Sequence, residues 1–144
     1  MNEIQRAEKW IYDKLSGAAS VTAAVSTRIY GEAGAPERAA FPYALFNLQT
    51  GGNDVRGNNT VRLMSAPLFQ IKIVTDGAPT SAVRTAVDAL DDLFQEAVTE
   101  VSEGFVFSSR REFPIKYPER KVDSAGYFTH YGGAYRLFIY PVAS

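Results

Sequence analysis

The sequence predicts an α+β fold in one domain spanning 1–144: a mixed or antiparallel sheet with a long hairpin, packed by an N-terminal helix and a central amphipathic helix. Three observations carry this. From Leu68 to Asp76 apolar and polar residues alternate, with Phe69, Ile71 and Ile73 on one face and Gln70 and Lys72 on the other, the period of a half-buried strand. After the breaker Asp76-Gly77-Ala78-Pro79, the residues Val83, Val87, Leu90, Phe94, Ala97 or Val98, and Val101 recur every three or four positions. That is the apolar stripe of a helix, and the strand just before it is the nearest surface to lie on. Strand-like runs also flank the polar, glycine-rich stretch 51–59, as in a hairpin with a long tip.

Taken in order, residues 3–16 form a helix, with Ile4, Ala7, Ile11 and Leu15 on one face and Trp10 and Tyr12 on its flanks. Asn2 caps its start with Gln5 three residues on, and Gly17 closes it in a left-handed conformation. Ser20 to Val25 is a further short turn with Val21 and Val25 inward, and Thr27 to Gly31 a short strand. A loop with Gly34, Pro36 and Pro42 leads to the strand Tyr43 to Thr50, which pairs with 60–75 in the long hairpin. Pro67 interrupts the return strand, so a bulge or sheet edge is expected there. Beyond the helix, Glu103-Gly104 turns the chain into the strand 105–109, and Pro114 and Pro118 make the following stretch irregular. Gly126 to Tyr140 is the closing strand, kinked or bulged at Gly132-Gly133. Tyr135, Leu137 and Ile139 take one of its faces, and Arg136, Phe138 and Tyr140 the other. A strand apolar on both sides lies either in the centre of a sheet or against another subunit.

Composition narrows the function. The chain has 144 residues, 46% hydrophobic and 22% charged, enough to bury roughly two-thirds of its unfolded surface without metal or disulfide. Its net charge of −1 argues against a general affinity for nucleic acid. With no cysteine, disulfides, thiolate metal sites and cysteine nucleophiles are excluded together. No run is long enough to span a membrane and the first residues lack a signal-peptide core, so a protein of the cytoplasm is expected.

Four groups could carry chemistry. His130, the one histidine, lies in Tyr127-Phe128-Thr129-His130-Tyr131 and reads as a strand residue facing solvent or a neighbour, since no second ligand completes a metal site. Asp88, Asp91, Asp92, Glu96, Glu100 and Glu103 read as a solvated helix face, with no calcium-loop spacing. Arg110, Arg111, Lys116, Arg120 and Lys121, with Phe113 and Tyr117 between them, could bind single-stranded nucleic acid. Residues 110–121 hold five basic and two acidic residues, net +3, whereas 76–103 hold seven acidic and one basic, net −6. That opposition favours protein–protein contact, one subunit's basic segment facing an acidic surface on another. The tip 51–59, with Asp54 and Arg56, lacks any phosphate-loop pattern but suits a contact loop.

The layout also resembles a known family. The helix ending Leu15-Ser16-Gly17, the turn Ser20-Val21-Thr22-Ala23-Ala24-Val25, then Arg28-Ile29-Tyr30, a proline-bearing loop and Phe41-Pro42-Tyr43-Ala44-Leu45-Phe46 lead into the hairpin, the strand-to-helix step at 68–94 and a Tyr-rich last strand. Over nearly its whole length this resembles the tail-completion, or tail-terminator, proteins of long-tailed bacteriophages. The resemblance implies a ring, usually of six subunits, on the head-proximal end of the tail tube. Such a ring stops tube polymerisation and offers the filled head a docking surface, with the tail tube protein and the head–tail connector as partners, no cofactor and no reaction. Genomic DNA would pass through the lumen without specific binding, past Asp88, Asp91 and Asp92. The basic segment, the 51–59 tip and the strand face bearing Phe138 and Tyr140 would be contact surfaces. The basic stretch at 110–121 departs from the commonest layout of the family. A head-completion adaptor on the portal side, and a small hydrolase or nucleic-acid-binding module, are the alternatives.

Overall fold

The computed structural model describes residues 2–51, 55–56, 62–95 and 97–142, with the backbone alone at 55, 56, 62, 63 and 97–99. In chain order the elements are α1 (Glu3–Gly17), α2 (Ala19–Val25), β1 (Ile29–Tyr30), β2 (Tyr43–Thr50), β3 (Val55–Arg56), β4 (Arg62–Met64), β5 (Leu68–Asp76), α3 (Ser81–Phe94), β6 (Ala97–Ser102), β7 (Phe105–Arg120) and β8 (Tyr127–Pro141). Six strands form one sheet in the order β1-β2-β5-β8-β7-β6, and β3 pairs with β4 beside it. The sheet is mixed, because β1 runs parallel to β2 while every other neighbour is antiparallel. The architecture is α+β, as the alternation and the helical stripes require. No helix among the described residues is long and apolar enough to cross a membrane.

All three helices pack on one sheet face. Ala7, Trp10, Ile11 and Leu15 of α1, Val21 and Val25 of α2, and Val83, Ala86, Val87, Leu90 and Phe94 of α3 join Phe46, Phe69, Ile71, Ile73, Phe107, Tyr135, Leu137 and Ile139 in one core. Asn2 and Gln5 form the reciprocal cap that opens α1: the Gln5 N–H donates to Asn2 Oδ1 and the Asn2 N–H to Gln5 Oε1, both at 2.9 Å. At its other end the cap is Ala18 in extended conformation, not a left-handed Gly17. The chain turns there because α2 must begin at once with Val21 inward.

Other expectations are corrected. The central strand is buried on both faces, since Leu68, Lys72 and Val74 are covered as well as Phe69, Ile71 and Ile73. The helix stops at Phe94, and 97–102 is the strand β6, so Val101 leaves the stripe and stands 69% exposed. Helical spacing carries on to Val101, but that β-branched residue pairs with Val106 of β7, and pairing prevails over spacing. At the interruption, Pro67 accepts from the Leu137 N–H while the bulge falls across from it, between Leu48 and Thr50 of β2.

The stretch after 109 is regular. β7 runs unbroken through Pro114 and Pro118, with a bulge between Arg111 and Phe113. The Leu137 and Ile139 N–H groups point to β5, so even-numbered β8 residues bond β7. Pro114 and Pro118 face Gly133 and Thr129, odd positions, and their nitrogens therefore face outward. β6 reaches only to Ser109, so beyond it that side of β7 is an open edge among the described residues, where proline removes no ladder bond. β8 pairs with both neighbours through Gly132 and Gly133 with no bulge in β8. A Cβ on Gly132 would overlap the Ile71 carbonyl oxygen, so the glycine permits close approach of β5.

Candidate functional site

Strand alternation divides the basic segment between the two sheet faces. Arg110 lies opposite Arg136 on the helix-free face, its guanidinium 5.5 Å from the Phe138 ring centre. Arg111 lies opposite Tyr135 on the helix side and meets Asp91 at 2.7 Å. Past the bulge, Lys116 sits over Tyr131 and Arg120 opposite Tyr127. Lys121 pairs with Asp76 at 2.8 Å.

Much of the acidic segment is likewise engaged within the chain. Asp91 accepts from the Tyr135 hydroxyl at 2.8 Å as well as from Arg111. Glu100 accepts from Trp10 Nε1 and Lys14, and Glu103 is approached by Arg6 and Lys9 of α1. Asp88 and Asp92 remain on the exposed side of α3. The solvated-face reading thus holds for these two and fails for Asp91, whose carboxylate ties α3 to β7 and β8, and for Glu100 and Glu103, which lie in and just after β6 instead of on a helix; Glu96 lies outside the described residues. Asp54 lies outside the described residues, as does the side chain of Arg56.

Among the described residues no helix covers the opposite sheet face. Register places Tyr43 and Leu45 of β2, Lys72 and Val74 of β5, Phe128, His130, Phe138 and Tyr140 of β8, and Phe113, Ile115 and Tyr117 of β7 on it. Phe113 is 50% exposed, and Tyr117 and Tyr140 are exposed too. Phe138 and Tyr140 lie on this side as expected, on a strand in the centre of the sheet between β5 and β7.

Under these aromatics is a polar cluster that the sequence did not reveal. Lys72, Gly132 and Ile115 are register neighbours across β5, β8 and β7. With no side chain at Gly132, Lys72 reaches across β8 and donates to the Tyr117 hydroxyl at 3.0 Å, although only 5% of the lysine is exposed. The Tyr117 ring stacks on His130 with centroids 4.5 Å apart and planes 7° from parallel. His130 Nε2 lies 2.8 Å from Glu119 Oε1. A carboxylate only accepts, so Nε2 carries the hydrogen and Nδ1 holds a lone pair. Nδ1 is buried, with no partner among the described residues.

The histidine is thus 8% exposed and does not face solvent. Burial, helped by the Lys72 charge, pushes its pKa below the ordinary histidine value against the opposing pull of Glu119. Burial first, then Glu119 and Tyr30, raises the phenol of nearby Tyr43. A histidine held by a carboxylate is half of an acid–base device, but its free lone pair opens on no solvent-reachable space. No group of three or more metal-ligating residues occurs among the described residues.

No family model matches the chain, and no curated protein matches it. Among solved structures, a chain that bears only a sequence identifier as its name aligns with a TM-score of 0.54 at 13% identity, covering 99% of this chain and 96% of that one. Likeness at that identity shows the fold alone.

Proposed function

We propose that this is a structural virion protein, a tail terminator. It forms a ring of six copies on the head-proximal end of a phage tail tube, ends tube polymerisation and presents the surface on which the head docks. The tube protein and the head–tail connector are its partners, and genomic DNA passes through the lumen. One observation supports the reading most: the sheet is clothed by helices on one face and lined with partly exposed aromatics on the other. A protein that works by mating surfaces needs such a face. The family resemblance supplies the particular assembly.

Native mass and negative-stain images of the purified protein at micromolar concentration, alone and with the tube subunit, test it. Rings, or binding to the tube subunit, are expected. A chain that stays single under every condition and ignores the tube subunit overturns it. Phage lacking the protein should make over-long headless tails. Normal tails beside unsealed heads would move the protein to the portal side.

A further inference from the structure

We infer that Lys72, Tyr117, His130 and Glu119 form an acid-sensitive latch that holds the distal half of β7 against β8. The inference goes beyond the proposed assembly and does not depend on it. Among the described residues the distal half of β7, from Ile115 to Arg120, has a strand neighbour on one side only, and Pro118 offers no donor on the other. Apart from its ladder with β8 and the packing of Ile115 with Leu68 and Ala134, what fastens it on the helix-free face is the polar cluster: the Tyr117 stack, the Lys72 hydrogen bond and the Glu119 contact.

The groups facing His130 are Tyr117 and Glu119 on β7 and Lys72 on β5. Neutral His130 tolerates its surroundings, because a bare lone pair is all that Nδ1 leaves unmet. Protonation puts a charged N–H at Nδ1 with no acceptor among the described residues, in a buried position near an ammonium. Glu119 offsets part of this from the other side of the ring. The balance favours the neutral form, so burial and Lys72 together depress the histidine's pKa.

The sign of the pH dependence follows. Above the opened-state value of about 6.5, both closed and opened forms carry neutral histidine and the latch is at full strength. As pH falls below that value the opened form takes up a proton first, and closure weakens until the depressed folded value is passed. Within that window the open population rises by up to about tenfold per pH unit.

The chain has one histidine, so its ring signals in NMR need no assignment. Wild-type His130 should titrate below about 6.5. Amide protection at Ile115, Tyr117 and Glu119, whose N–H groups face β8, should fall through the same window while protection in β2 stays constant. Lys72→Met removes a nearby cation and should move the midpoint up; Glu119→Gln removes the stabilising carboxylate and should move it down. His130→Gln should abolish the dependence. Titration at or above the ordinary value, equal loss of protection in β2, or an unshifted midpoint in both Lys72→Met and Glu119→Gln would overturn the latch. The wild-type measurement alone decides the first two outcomes even where a variant fails to fold.

Discussion

At Gly132 a methyl group would run into the Ile71 carbonyl, and it would also block the path by which Lys72 crosses to Tyr117. Gly132→Ala should therefore lower stability by about 1–3 kcal/mol, as overpacking does in a close-fitted interior. A urea midpoint equal to wild type would show that β5 and β8 can separate at no cost. Tyr135 is a milder case. Burial first, and the Asp91 carboxylate second, hold its phenol protonated far above the ordinary range. Tyr135→Phe removes one hydrogen bond while Asp91 keeps Arg111, so the expected loss is about 1 kcal/mol by denaturant titration. Neither role could be read in the sequence, where Asp91 looks like any solvated helix carboxylate and Gly132-Gly133 like a kink. Their meaning depends on which strand lies alongside.

At the scale of elements, periodic patterns were good guides where nothing competed with them. β2 and β5 span the residues expected of them, 43–50 and 68–76, and α1 opens on the Asn2 cap. Sequence pattern and structure part where two signals overlap. The end of α3 carries no glycine or proline, and the apolar spacing continues past it. The stop is tertiary: the buried Ser109 hydroxyl donates to the Phe94 carbonyl at 2.8 Å, satisfying a helix-end acceptor from β7. Ser109→Ala should cost about 1–2 kcal/mol, and calorimetry that showed no change would place the stop elsewhere. Prolines 114 and 118 read as breakers in the sequence because a single sequence does not say which strands lie at an edge. Replacing both by threonine restores two outward N–H donors. Stability should shift by less than about 0.5 kcal/mol, while light scattering should report faster self-association, as an unguarded edge invites pairing. Unchanged scattering would assign the protection to Lys116 and Arg120.

For the molecule as a whole, charge segregation along the chain is a poor map of charge in space. Asp76, Asp91, Glu100 and Glu103 each meet a cation of the same chain. These pairs are partly solvated, so each contributes little to stability, but they leave fewer charges for a neighbour. If the acidic face of α3 lines a DNA channel, the residues to reverse are Asp88 and Asp92, since reversing Asp91 would also break the ties to Arg111 and Tyr135. Lysine at both should slow DNA passage while rings form normally; unchanged infection with normal rings would count against that placement. The polar cluster was hidden for a related reason. Lys72 lies 45 residues from Tyr117 along the chain, and only the order β5-β8-β7 brings them into contact.

Trp10, the chain's one indole, stacks on Phe107 at 5.2 Å, meets the edge of Phe94 at 5.8 Å and donates to Glu100. Those partners belong to β7, to the last residue of α3 and to β6, so a single fluorophore stands where four elements join. Its emission colour is a built-in optical gauge of that junction: any event that lifts the first helix off the sheet must redden it, with no dye attached.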